Sequence, residues 1–301
     1  MPYGSVLDLI GRTPLVKTSL SPKEGVVIYA KLEYFNPTGS LKDRIALKMI
    51  EDAERRGLLT KDKIIVEGSS GNTGISLAAI GRLKGYRVLI FVPKKAAKEK
   101  IGLLKALGAE VRFADSEAHA VELARELASK DPRYVMLDQF RNRSNVMAHY
   151  EGTAREIWED LRGQVDYVVA GIGTGGTIIG LAKFLKERKP DVKVIGVVGR
   201  GEEIDGLMDL EEYERPLFDR ELVDEVMYVS RGEALKMVLR LVREEGILAG
   251  LSSGATCHAA VKIAERVERG NIVAICGDTA LRYVSIIGDY FSRCSGPGAR
   301  A

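Results

Sequence analysis

Short β-branched runs alternate with amphipathic segments along the 301-residue chain. The apolar runs predict strands at residues 26–32, 64–67, 87–92, 110–113, 167–170, 193–198, 225–229 and 271–275. Between them, apolar positions recurring every three to four residues predict helices at 41–56, 74–84, 99–107, 118–129, 146–161, 177–188, 232–245 and 255–269. A run such as 165–170 is apolar at nearly every position, so both faces of that strand must be covered. Strand–helix alternation with strands of this kind predicts an α/β fold with a mostly parallel sheet flanked by helices.

In such sheets ligands bind where strand carboxyl ends turn into helices. That singles out the loops 68–73, 171–176 and 250–254, all rich in Gly, Ser and Thr. The acidic, irregular stretch 199–220 reads as a surface loop near the site mouth, and the Gly- and Pro-containing tail 292–301 as frayed.

The length predicts about two domains, and the polar residues 142–145 suggest the division: 1–143 as an N-terminal and 144–301 as a C-terminal α/β domain. With 46% apolar residues the chain can bury a sizeable core, and 45 basic against 42 acidic side chains leave a net charge of +3. No polybasic block or acidic tail points to nucleic acid or a membrane surface. No apolar run reaches the ~18 residues of a membrane span. The start of the chain lacks the pattern of a signal peptide. Three cysteines (Cys257, Cys276 and Cys294) are an odd number, widely spaced in sequence, so a reducing cytoplasm is expected. Cys257 beside His258 does not read as a metal site, because adjacent helical residues point apart and no second ligand pair follows.

Three motifs carry candidate chemistry. Gly173-Thr174-Gly175-Gly176-Thr177 follows a strand and opens a helix. Successive backbone N–H groups and the helix dipole make such a turn an anion cradle. The spacing from Gly171 to Gly176 also fits a dinucleotide fingerprint. However, Glu187 or Asp191 falls on or just after the helix rather than at the end of the next strand, so a monophosphate is the better ligand. Ser69-Ser70-Gly71-Asn72-Thr73-Gly74 offers hydroxyls and free N–H groups at another helix start, suited to a carboxylate or simply to capping. Lys42, in 36–44, falls in a first helical turn, where the dipole repels its charge and lowers its pKa. By composition it is either a surface lysine or an amine nucleophile.

Together these motifs resemble the fold-type-II (tryptophan synthase β-like) pyridoxal 5′-phosphate enzymes. The similarity is to the cysteine synthase branch of O-acetylserine or O-phosphoserine sulfhydrylases, with cystathionine β-synthase as kin. It runs from Ile10-Gly11-Arg12-Thr13-Pro14-Leu15 to Arg282-Tyr283-Val284-Ser285 and includes Leu104-Lys105-Ala106-Leu107-Gly108-Ala109, Gln139-Phe140 and the segment 245–254. The resemblance implies two α/β domains, with residues of about 13–34 packing with the second. It implies that Lys42 holds the cofactor as a Schiff base and moves the Cα proton, and that Asn72 bonds the ring hydroxyl. Gly173, Thr174, Gly175, Gly176 and Thr177 would hold the phosphate, and Ser252 would face the pyridine nitrogen. Ser69, Ser70, Thr73 and Gln139 would receive the substrate carboxylate. The activity implied is replacement of acetate or phosphate on an activated serine by sulfide. A homodimer and a serine acetyltransferase partner are implied in the same way.

The sequence departs from its relatives at Gly68-Ser69 (often Pro-Thr), at Gly199-Arg200 (often Glu-Pro) and at Cys276-Gly277-Asp278-Thr279. Met208 stands where O-phosphoserine users carry arginine, so phosphoserine use would need Arg200, Arg215 or Arg220.

Overall fold

The computed structural model describes residues 2–69, 71–201, 203–208 and 215–294. Ten strands are β1 (Leu15–Lys17), β2 (Val26–Leu32), β3 (Ile64–Gly68), β4 (Arg87–Pro93), β5 (Glu110–Ala114), β6 (Tyr134–Met136), β7 (Tyr167–Gly171), β8 (Lys193–Arg200), β9 (Glu225–Ser230) and β10 (Gly270–Cys276). The helices are α1 (Lys42–Arg55), α2 (Asn72–Leu83), α3 (Lys98–Ala106), α4 (Glu117–Lys130), α5 (Arg143–Ala148), α6 (Arg155–Asp160), α7 (Gly176–Arg188), α8 (Arg231–Arg240), α9 (Leu251–Arg266) and α10 (Val284–Cys294).

One sheet has the order β1-β2-β10-β7-β8-β9 and the other β5-β4-β3-β6. Every pairing is parallel except β1 with β2. Alternate residues of β10 enter different cores, Ile272 and Ala274 one, Val273 and Ile275 the other, so this sheet is covered on both faces. In the smaller sheet Ile65, Val88 and Ile90 face one core, while Val66, Leu89 and Phe91 face α4 through Ala120 and Ala124.

The structure departs from the sequence pattern in two segments near the site. The segment 146–161 is not one helix: α5 and α6 are joined by a π-helical turn, His149–Ala154. This turn packs against α7 at Gly180, where a Cβ would meet His149 Cβ at 2.8 Å. The stretch expected as a surface loop is pinned at Ile204 and Leu207, both buried in the core, and Met208 N–H donates to Ile172 O at 2.9 Å. Its polar residues hide two apolar anchors too few to make a periodic pattern.

Behind the start of α1, Arg44 is buried between Glu33 and Glu156, each 2.6 Å away, and Lys31 lies 2.9 Å from Glu156. Among the described residues no helix is long and apolar enough to cross a membrane. Cys257 and Cys276 are buried free thiols with sulfurs 3.8 Å apart, and His258 lies 3.7 Å from Glu233.

Candidate active site

The carboxyl ends of β3, β7 and β10 open into one region between the two sheets. After β7, Gly175 adopts a left-handed φ of 89° before α7 begins. A Cβ on Gly176 would fall 2.0 Å from Asn145 Oδ1, and one on Gly173 2.7 Å from Gly206 O, so only glycine fits this cradle. Asn145 is fully buried; its Nδ2 donates to Thr174 Oγ1 at 3.0 Å and to Gln139 O at 2.8 Å. Its Oδ1 is buried without a partner among the described residues.

Lys42 opens α1, fixed from behind because Leu41 N–H donates to Gly277 O at 2.9 Å. Protein surrounds the amine while the cavity leaves part of the side chain accessible. Burial lowers its pKa to about 8, opposed by the charge of Asp278. Asn72, the first residue of α2, donates from Nδ2 to Asp278, and its Oδ1 accepts from Arg282. Lys42, Asn72, Thr174, Thr177, Ser252 and Asp278 line the inner cavity. Ser252 enters it from the first turn of α9.

An adjoining outer cavity is lined by Ser69, Thr73, Gln139, Lys100, Asp205 and Met208. Ser69 Oγ accepts from Gly71 N–H and Gly74 N–H, both at 3.2 Å, and Thr73 Oγ1 donates to Gln139 Oε1 at 2.6 Å. The structure therefore brings together Lys42, Ser69, Asn72, Thr73, Gln139, Ser252 and the 173–177 turn; Ser70 lies outside the described residues. An open groove at Arg200, Arg231, Leu235 and Tyr290 gathers none of them.

Sequence reasoning assigned no role to Asn145, His149, Lys100 or Tyr283. In the sequence Asn145 reads as one of the polar residues of the boundary 142–145, and no local signal marks the others. Tyr283 OH donates to Asp278 Oδ2 at 2.6 Å, and Lys100 Nζ lies 2.5 Å from Asp205. Burial raises the pKa of Asp278, whose Oδ1 has no partner among the described residues.

Residues 6–278 match the family of pyridoxal-phosphate dependent enzymes. The chain is 40% identical over 316 aligned positions to the cystathionine beta-synthase of Apis mellifera, covering 97% of this chain and 62% of that protein. It is 38% identical over 289 positions to cysteine synthase B of Pseudomonas aeruginosa, covering 94% of this chain and 96% of that one. The crystal structure of a hydrogen sulfide-producing enzyme from Fusobacterium nucleatum matches with a TM-score of 0.89 at 39% identity, covering 94% and 98% of the two chains. The chain spans less than two thirds of the length of the Apis mellifera relative. A glycine-only anion cradle and a lysine of lowered pKa facing one cavity fit the phosphate and aldehyde ends of pyridoxal phosphate. The chain belongs to the pyridoxal-phosphate-dependent enzyme family.

Proposed function

We propose that the chain catalyses β-replacement on an O-activated L-serine, exchanging acetate or phosphate for sulfide to give L-cysteine. The observation that carries this reading is the shared cavity of Lys42, the 173–177 cradle and the bonded pair Thr73 and Gln139. In it, Gly173, Thr174, Gly175, Gly176 and Thr177 would hold the cofactor phosphate, Asn72 would serve the ring hydroxyl, and Ser252 the pyridine nitrogen. When bound, pyridoxal phosphate supplies an electron sink for the bond broken at Cα. A serine hydroxyl, unlike a carboxylate, does not keep the pyridine nitrogen protonated, which suits loss of a good β-leaving group. Lys42 would anchor the cofactor, and burial, by lowering the pKa of its free amine to about 8, makes it a group able to take and return the Cα proton. Ser69, Ser70, Thr73 and Gln139 hold the substrate carboxylate.

The outer wall favours acetate over phosphate as the leaving group. Lys100 is paired with Asp205, Glu117 also lines the cavity, and no arginine lines it among the described residues. Arg200 and Arg220 are bonded to the carbonyls of Tyr228 and Val223, and Arg215 to that of Gly173. Two lysines (Lys42 and Lys100) and two carboxylates (Glu117 and Asp205) line the cavity, so it offers no net positive charge to draw in a dianionic phosphate. A second reading, condensation of serine with homocysteine, rests on the Apis mellifera relative.

The test is a spectral titration of the yellow holoenzyme with O-acetylserine, O-phosphoserine and serine. O-acetylserine is expected to change the visible band at the lowest concentration, and Lys42→Ala to lack band and turnover. A response only to serine, with turnover only when homocysteine is added, favours the second reading. A colourless protein, or one indifferent to all three, refutes both.

A further inference from the structure

His149 sits in the π turn between α5 and α6, fully buried. Turns of this type interrupt helices where a side chain has to be aimed, often at functional sites. The imidazole meets two hydroxyls, Thr153 Oγ1 at 3.0 Å from Nδ1 and Thr177 Oγ1 at 3.2 Å from Nε2. Thr177 is the second residue of α7 and lines the inner cavity, whereas Thr153 is fully buried. Burial holds the ring neutral by pushing its pKa well below the usual value, and the charges of Arg44 and Lys42 act in the same direction. The π turn packs tightly against Gly180, where a Cβ would lie 2.8 Å from His149 Cβ.

A neutral imidazole donates from one nitrogen and accepts at the other, so the two hydroxyls cannot be treated alike. With the proton on Nε2, the ring donates to Thr177 Oγ1 and the Thr177 proton is free to point into the cradle. With the proton on Nδ1, Nε2 accepts a hydrogen bond from the Thr177 hydroxyl, whose lone pairs are then turned toward the anion instead. Only the first arrangement adds a charge-assisted hydrogen bond to a phosphate. It also gives the buried Thr153 hydroxyl an acceptor in Nδ1.

We propose that His149 is a positioning residue which, protonated on Nε2, fixes the Thr177 hydroxyl as a donor to the cofactor phosphate. This rests on the proposed assignment of the 173–177 turn to that phosphate. His149 acts through Thr177 and touches neither cofactor nor substrate.

Two measurements test it. The first is ¹⁵N NMR of histidine-labelled holoenzyme, where three histidines make assignment tractable. His149 is expected as the neutral Nε2–H tautomer, and an Nδ1–H tautomer overturns the proposal. The second is pyridoxal phosphate affinity, by equilibrium dialysis against apoenzyme, in a double-mutant cycle with Thr177→Ala. His149→Asn is expected to weaken binding about tenfold, the worth of one hydrogen bond to a charged group. In the Thr177→Ala background the same change should cost less than about twofold. His149→Gln, whose amide nitrogen reaches the Nε2 position, should stay within about threefold of wild type. Equal losses in both backgrounds show a packing role alone and overturn the proposal. If His149→Asn fails to fold, the tautomer measured in the wild type decides. A wild type that binds no pyridoxal phosphate overturns the functional reading, whatever the tautomer.

Discussion

Asn72 Nδ2 donates to Asp278 Oδ2 at 2.8 Å, joining the start of α2 to the turn after β10. Tyr283 OH reaches the same oxygen at 2.6 Å. Asp278 is thereby held as the charge that opposes the lowering of the Lys42 pKa. A nearby anion favours the protonated amine, so its removal moves the Lys42 pKa below about 8. Asp278→Asn should shift the pH midpoint of Lys42 modification in the apoenzyme to lower pH. A midpoint that stays put or rises would count against this coupling.

Glu67, in β3 beside Ser69, is fully buried, and neither carboxyl oxygen holds a well-formed hydrogen bond. Burial, reinforced by the charge of Asp138, pushes its pKa to about 8 from the usual 4.5. The folded state therefore keeps a proton that the unfolded chain releases. This contribution is fully present below pH 4.5 and is lost as pH rises through about 8. Glu67→Gln should flatten the fall in thermal midpoint between pH 5 and pH 9. At the alkaline end it should gain on wild type by roughly a few kcal/mol.

Arg44→Met would leave the fully buried Glu33 without its cation. The expected loss is about 3–5 kcal/mol, read as a lower urea midpoint. The same guanidinium acts on acid stability. Burial works to raise the pKa of Glu156, but Arg44, helped by Lys31, holds it at about 2. That contribution is present above the unfolded value of 4.5 and is lost as pH falls toward 2. In Arg44→Met the decline of stability over this acid range should be shallower than in wild type.

Gly176→Ala tests the cradle directly, because its new Cβ would lie 2.0 Å from Asn145 Oδ1. Either the turn or Asn145 must move, at about 1–3 kcal/mol for overpacking. Pyridoxal phosphate affinity should drop by about tenfold or more, since the N–H groups are displaced from the anion. Unchanged affinity would mean that the phosphate binds elsewhere.

Strands such as β3 and β7 are legible in sequence because an unbroken apolar run must be covered on both faces. β1 and β6 are not, since three half-exposed residues are too few to display a period and are placed by pairing with β2 and β3. The π turn at His149–Ala154 escapes because helical spacing continues on either side of it. The same divide runs through the site. Gly173, Gly176 and Lys42 stand out because backbone sterics and the helix dipole act on them locally. Asn145, His149 and Asp278 acquire their partners over 29, 28 and 206 residues, and nothing beside them in sequence announces the contact.

The pairing of β2 with β10 has a consequence for synthesis. All four strands of the smaller sheet, β3 to β6, have left the ribosome long before residues 270–276 are made. That sheet has its strands early, while β2 waits with a bare apolar edge until nearly the whole chain has emerged. Unpaired edges of this kind are where nascent chains stick to one another. Slow elongation would prolong the exposure of β2, so yield in the cell should depend on guarding this strand until its partner has been made.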